Sequence, residues 1–150
     1  MPTITIRQRF ELPLSEVFQA LSLHETYNLV LWPLRSERIE DAPRPSPPDG
    51  PGSVRKMGIP PLMPIREEIL RIDDLQLIEY AMQPNPIFSH HLGRLVFSGD
   101  ESGCEVVYTI SLESRLPLID WLVLGQLKLS VMRGLSKLEV ELRRSRPRAS

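Results

Sequence analysis

The sequence predicts an α+β fold: a seven-stranded, curved antiparallel sheet around a long C-terminal helix, with two short helices after the first strand. Three observations carry this. Residues 3 to 10, TITIRQRF, alternate Ile4, Ile6, Gln8 and Phe10 against Thr3, Thr5, Arg7 and Arg9, the period of a half-buried strand. From residue 53 onward, strand-like runs follow one another with only turn residues between them. The chain then enters a long stretch opened by Pro117 and helical to about Arg143, proline being well tolerated in the first turn of a helix.

The elements follow in order. In LPLSEVFQAL, Ser15 is positioned to cap and Val17, Phe18 and Leu21 recur at helical spacing, so a short helix follows the first strand. LHETYNLVLWP supplies a second short helix that ends before Pro33, because the residue preceding proline is pushed out of helical geometry. LRSERIED reads as a strand. Residues 42–52, APRPSPPDGPG, hold five prolines and read as a semi-rigid, polyproline-like loop. The strands SVRKMG, IREEILRI, LQLIEYAMQ, HLGRLVFSG and CEVVYTISLES come next, the last two joined by GDESG, which has hairpin composition. An antiparallel meander is the simplest arrangement. The basic tail RRSRPRAS reads as a solvated end.

Composition narrows the function classes. A chain of 150 residues is one domain, 1–150, large enough to bury a substantial core. Lys and Arg number 18 against 19 Asp and Glu, a net charge of −1, so no global field draws nucleic acid or an anionic membrane. Cys104 is the single cysteine, which excludes an internal disulfide and a multi-cysteine zinc site and fits a reducing cytoplasm. The N-terminus has no basic start followed by a long apolar run. The most apolar stretch, LPLIDWLVLGQLKLSVMRGL, is broken by Asp120, Gln126, Lys128 and Arg133, so no membrane span is expected. His90 and His91 point to opposite faces of a strand and cannot chelate one metal as neighbours, and His24 has no spacing that recommends it; no metal or other cofactor is expected.

The segments PLSEVFQAL, YNLVLWP, GSVRKM, REEILRID, IEYAMQ and MRGLSKLEVEL, in this order and spacing, resemble the SRPBCC superfamily, the START-like helix-grip proteins, and within it the polyketide cyclase/dehydrase and lipid-transport group. The likeness spans essentially the whole chain. It implies a curved sheet gripping the C-terminal helix around an apolar tunnel that takes lipids, sterols, hormones or polyketides. It also implies that an enzymatic member would place polar residues in that cavity, and Arg55 is the one that sits on a matching motif.

Arg55 lies in a strand whose two cations, Arg55 and Lys56, must point to opposite faces, so one of them faces the interior. A hairpin centred near Pro61 sets Arg55 opposite Glu67 or Glu68, within reach of a cross-strand ion pair. The family likeness favours Glu68. Tyr80 shares a face with Ile78 and Met82, and Tyr108 with Val106 and Ile110, so both rings point inward, where a buried phenol needs a hydrogen-bond partner. His91, in register with Gly93, Leu95 and Phe97, is the cavity-facing histidine. Trp32, Met57, Met63, Met82, Trp121 and Met132 lie on elements expected to line the interior, where methionine adapts to ligands of varied shape. The binding set is therefore Arg55, Met57, Glu68, Tyr80, Met82, His91, Tyr108 and Trp121, around a pocket of about 300–1,000 Å³ with the proline-rich loop as its rim.

Three functions compete. The leading one is binding of a hydrophobic small molecule between sheet and helix, anchored by Arg55. The second is a cyclase or dehydratase in which Arg55 stabilises an enolate and Tyr80 or His91 transfers a proton. The third is a non-catalytic interaction protein with a collapsed cavity, pairing with another copy as a homodimer.

Overall fold

The computed structural model describes residues 2–145; the last five residues of the basic tail lie outside the described residues. Seven strands form one antiparallel sheet: β1 (Thr3–Phe10), β2 (Arg35–Glu40), β3 (Val54–Ile59), β4 (Leu62–Asp73), β5 (Leu77–Met82), β6 (Phe88–Asp100) and β7 (Gly103–Ser114). Between β1 and β2 lie α1 (Leu14–Leu21) and, after a turn of 3-10 helix, α2 (Tyr27–Val30); α3 (Pro117–Arg144) closes the chain. The spatial order β1-β7-β6-β5-β4-β3-β2 makes β2 to β7 a meander, with β1 added beside β7. All of the predicted elements form, in the predicted order.

The concave face of the sheet carries the core. β1 contributes Ile6 and Phe10, α1 contributes Leu14, Val17, Phe18 and Leu21, and α3 contributes Leu124, Val131, Leu135 and Leu138. Ser15 is not the cap of α1. Pro13 holds that place, and the Ser15 hydroxyl reaches outward to Glu101 at 3.2 Å. At the other end of the core Asp120, in the first turn of α3, is buried and accepts the backbone N–H of Ser114 at 2.6 Å, which fixes the corner between β7 and α3. The interruption that Asp120 makes in an otherwise apolar run is thus a helix-to-sheet tie.

The helix α3 sits tightly on α2 because Gly134 has no side chain: a Cβ there would lie 2.2 Å from the Val30 carbonyl oxygen. Turning away from that contact, α3 presents Leu118, Trp121, Leu122, Leu129 and Met132 to the outside. It is apolar on two opposite faces, so its sequence periodicity alone does not say which face is the core.

The proline-rich loop is not an extended polyproline strut. It folds into successive turns, with Ala42 N–H bonded to the Pro48 carbonyl, Ser46 to Pro43 and Gly50 to Pro47. Asp49 then pins it to the body: its carboxylate accepts from Arg38 at 2.8 Å and lies 2.9 Å from the His24 ring. Burial alone would raise the Asp49 carboxyl, but the bonds from Arg38 and His24 outweigh it and hold it below the usual carboxylate range.

Gly134→Val drives two methyl groups into the Val30 backbone, which cannot move as a flexible side chain would. Urea unfolding should show a loss of about 1–3 kcal/mol or more, the scale of overpacking in a close-packed contact. Glycine to serine at Gly125, where a Cβ meets nothing within 4 Å, should leave the midpoint nearly unchanged.

Candidate functional site

Between the sheet and α3 lies a cavity of about 140 Å³, lined by side chains from five strands, from the turn after α2 and from α3. Its walls are Leu31, Leu34, Met57, Ile65, Met82, Phe88, Ile110, Leu112, Val123 and Leu127; its polar groups are Glu67, Tyr80 and His91. A space near 150 Å³ holds one benzene-sized ring. Outward it adjoins a surface groove of about 350 Å³ that shares Leu31, Leu34, Val123 and Leu127 with the cavity and adds Pro33, Ile59, Leu122, Gln126 and Ser130. The enclosed part is smaller than the sequence-based expectation. Three stacked groups fill its inner end: the Arg55 guanidinium lies 4.2 Å from the Tyr27 ring centre and 4.9 Å from that of Tyr80.

That inner end is a chain of polar contacts. The β3–β4 pairing sets Arg55 opposite Glu67, because an irregularity between Met57 and Ile59 shifts the register by one residue from the hairpin tip. Arg55 Nε donates to Glu67 Oε1 at 3.3 Å, and Glu67 Oε2 lies 2.6 Å from His91 Nε2. Arg55 is 4% exposed and Glu67 2%. Burial of the Glu67 carboxyl works toward protonation, yet the His91 bond and the Arg55 charge prevail and hold it below its ordinary value. An ionised carboxylate only accepts, so Nε2 carries the hydrogen in that bond. His91 Nδ1 and Arg55 Nη2 are buried without a hydrogen-bond partner.

The tyrosines are held neutral. Burial pushes the Tyr27 phenol up to about 12, and raises Tyr80 and Tyr108 well above the ordinary phenol range. Tyr27 donates to the Leu21 carbonyl at 2.7 Å, while the Tyr80 and Tyr108 hydroxyls bond each other. Tyr80 lies across Gly93, its cross-strand neighbour on β6, where a Cβ would sit 2.0 Å from the ring. The glycine exists to give that ring its place.

Measured against expectation, the structure brings Met57, Tyr80, Met82 and His91 to the cavity wall. Arg55 is inside but stands behind Glu67 and Tyr80, off the cavity wall. Tyr108 is likewise one layer back, behind the Tyr80 hydroxyl. Glu68 is corrected to Glu67: strand alternation turns Glu68 to the outer face, opposite Val54 and Ala81, where it is half-buried. Trp121 is corrected too, at 61% exposed on the outward face of α3; Trp32 and Met132 also face out, and Met63 is half-buried. The proline-rich loop lines none of the cavity. β2 ends and β3 begins at the opposite end of the sheet from the groove, so their connection closes the far end instead. Glu67 was the residue that strand parity left undecided; its signal was the hairpin register, which depends on an irregularity that no pattern announces. Cys104 is buried, with burial raising its thiol to about 11, which leaves it inert as a nucleophile. Among the described residues no group of three or more His, Cys, Asp or Glu could hold a metal ion.

No protein-family model matches this chain, and no curated protein matches it. Solved structures do. The Zhui aromatase/cyclase from Streptomyces sp. R1128 has a TM-score of 0.71 at 15% identity, over 95% of this chain and 94% of that one. A START superfamily protein from Mycobacterium smegmatis has a TM-score of 0.67 at 11% identity, over 95% and 97%. A solution structure from Thermobifida fusca reaches 0.73 at 18% identity, over 100% and 99%. At such identities the likeness is one of fold.

Removing one member of the buried pair should be costly. Arg55→Met leaves Glu67 with His91 alone, and denaturant unfolding should show a loss of about 3–5 kcal/mol. The native pair also sets an acid dependence. Because the folded Glu67 is held below its unfolded value near 4.3, its stabilisation is fully present above that pH and is lost as pH falls through the folded value. Unfolding midpoints measured from pH 6 down to about pH 2 should fall less steeply in Glu67→Gln than in the wild type.

Proposed function

Starting from a START-like, SRPBCC-type helix-grip fold, we propose that this protein binds a hydrophobic small molecule between the sheet and α3, its polar end against Glu67 and His91. One observation carries the reading: an almost wholly apolar cavity ends on a buried carboxylate–histidine pair whose His91 Nδ1 has no partner. A buried polar atom without a partner costs about 1–3 kcal/mol, and a ligand hydroxyl or carbonyl-bearing head group meets that need. The cavity takes the ring or head, and the adjoining groove takes the rest of an elongated apolar body. Met57 and Met82 on the wall accommodate variation in its shape. Arg55 serves as a positioning residue, holding Glu67 charged and in place rather than touching the ligand.

The same pair favours a second reading, a cyclase- or dehydratase-like enzyme. A carboxylate orienting a histidine that lines an apolar cavity and whose second nitrogen is buried without a partner is an arrangement suited to moving a proton to or from a bound substrate. The neighbouring aromatase/cyclase fold supports this reading by analogy only. Arg55 would not stabilise an enolate directly, since Glu67 stands between it and the cavity wall. An interaction protein with a collapsed interior is disfavoured by the open space beside Tyr80 and Met82.

Native mass spectrometry of protein purified from its own host tests binding directly: a retained adduct of a few hundred daltons is expected. Leu112→Trp fills the cavity from the β7 wall and should abolish that adduct while folding is retained. His91→Leu removes the polar contact and should weaken a hydroxyl-bearing ligand by about three- to tenfold in calorimetry, with little effect on a purely apolar analogue. Equal loss for both analogues would mean His91 acts through packing alone. For the enzymatic reading, the readout is substrate conversion by wild type and its absence in His91→Leu.

A further inference from the structure

Six large apolar side chains that are more than half exposed gather at one end of this protein. Trp32, Ile59, Leu62, Leu118, Trp121 and Leu122 are 55–87% exposed. They come from the α2–β2 turn, the tip of the β3–β4 hairpin and the start of α3, all at the end of the sheet where β2 begins, β3 turns into β4 and β7 finishes. Taking about 150–250 Å² for each large side chain, they present on the order of 800 Å², above the ~300–600 Å² of the largest patch on a typical monomer. The groove runs between Ile59 and Leu122 and continues into the cavity, so the apolar end is also the mouth.

Among the described residues of the segments at this end, the exposed charged side chains are all of one sign. Residues 30–35, 57–66, 82–90 and 112–123 carry Arg35, Arg66 and Arg115, all exposed. The acids within these segments are Glu113, half-buried, and Asp120, buried on the Ser114 amide. The connections at the opposite end hold the exposed acids Glu11, Glu40, Asp41, Asp74, Asp100 and Glu101, alongside Arg44 and the Arg143 and Arg144 of the last turn of α3.

We infer that the mouth end docks on an anionic phospholipid surface, with Trp32, Trp121 and the neighbouring leucines entering the interface and Arg35, Arg66 and Arg115 facing the head groups. Exposed tryptophans and aliphatic side chains flanked by arginines are the chemistry that such an interface accepts. A second copy placed mouth to mouth would set these arginines against their own counterparts with no exposed carboxylate to answer them, and like-charge contact is costly. No described helix is long and apolar enough to cross a membrane, so the association is peripheral. It opens the cavity toward the lipid, and it does not depend on what the cavity binds.

The test uses the protein's own fluorescence, because its only two tryptophans, Trp32 and Trp121, both lie in this patch. Vesicles of phosphatidylcholine mixed equally with phosphatidylglycerol should shift their emission to the blue, brominated acyl chains should quench it, and the protein should sediment with the vesicles. Leu118→Asp combined with Leu122→Asp alters side chains more than three-quarters exposed, so folding should survive while partitioning falls about tenfold or more. Arg35→Glu with Arg115→Glu should lower binding to the anionic vesicles by about tenfold or more and leave weak binding to pure phosphatidylcholine unchanged. Emission that stays unchanged with protein left in the supernatant overturns the inference. So does equal binding to neutral vesicles. Blue emission already present without lipid, with a dimer in sedimentation equilibrium, would show that a second copy covers the patch instead.

Discussion

The ion pair between Arg55 and Glu67 is the constraint to which the concave face of this sheet is fitted. Two charges less than 5% exposed carry a desolvation cost of several kcal/mol each, and their attraction offsets it only in good geometry with the remaining polar atoms engaged. Much of the surrounding structure supplies that geometry. The irregularity after Met57 sets the register that brings the two residues opposite each other. The rings of Tyr27 and Tyr80 flank the guanidinium, and Gly93 leaves room for the second of them. His91 takes the remaining carboxylate oxygen.

This arrangement decides the shape of the cavity as well as its chemistry. Because Tyr27, Arg55 and Tyr80 occupy the space deepest under the helix, the enclosed volume is short, and any longer ligand must extend outward past Leu31 and Val123 into the groove. The polar end is therefore fixed at the inner wall and the apolar end at the mouth. Two buried polar atoms without partners, His91 Nδ1 and Arg55 Nη2, belong to residues at or directly behind that inner wall. The same fold that buries the pair thus leaves Nδ1 of the cavity-lining His91 without a partner.

The two ends of the sheet differ in kind. At one, the proline-rich loop folds into turns and is pinned by Asp49 to Arg38 and His24. At the other, hairpin tip, turn and helix start leave large apolar groups uncovered beside arginines. A net charge of −1 describes neither end. Whole-chain composition averages over a separation that exists only once the connections are sorted in space by an antiparallel topology.

The sequence by itself determined the order and type of the elements. Alternation in TITIRQRF, turn composition at GDESG and the proline opening of α3 are local signals, and each reports a preference of the chain that neighbouring elements reinforce. It also determined that Arg55 or Lys56 must face inward and that Tyr80 and His91 share the concave side, since strand parity is a property of one strand alone. What only the tertiary structure decided was everything that needs a second element as reference. Glu67 partners Arg55 because a one-residue irregularity near the hairpin tip moves Arg55 from opposite Arg66 to opposite Glu67, a shift invisible to period-two reasoning. Trp121 faces outward because α3 is apolar on two sides, and only the contact at Gly134 tells which of them meets the core. The proline-rich loop closes the far end rather than the mouth because a loop's place follows from where its two strands stop. Periodicity orients a side chain relative to its own backbone; register, crossing and position in the sheet are relations between segments, and those are set by packing.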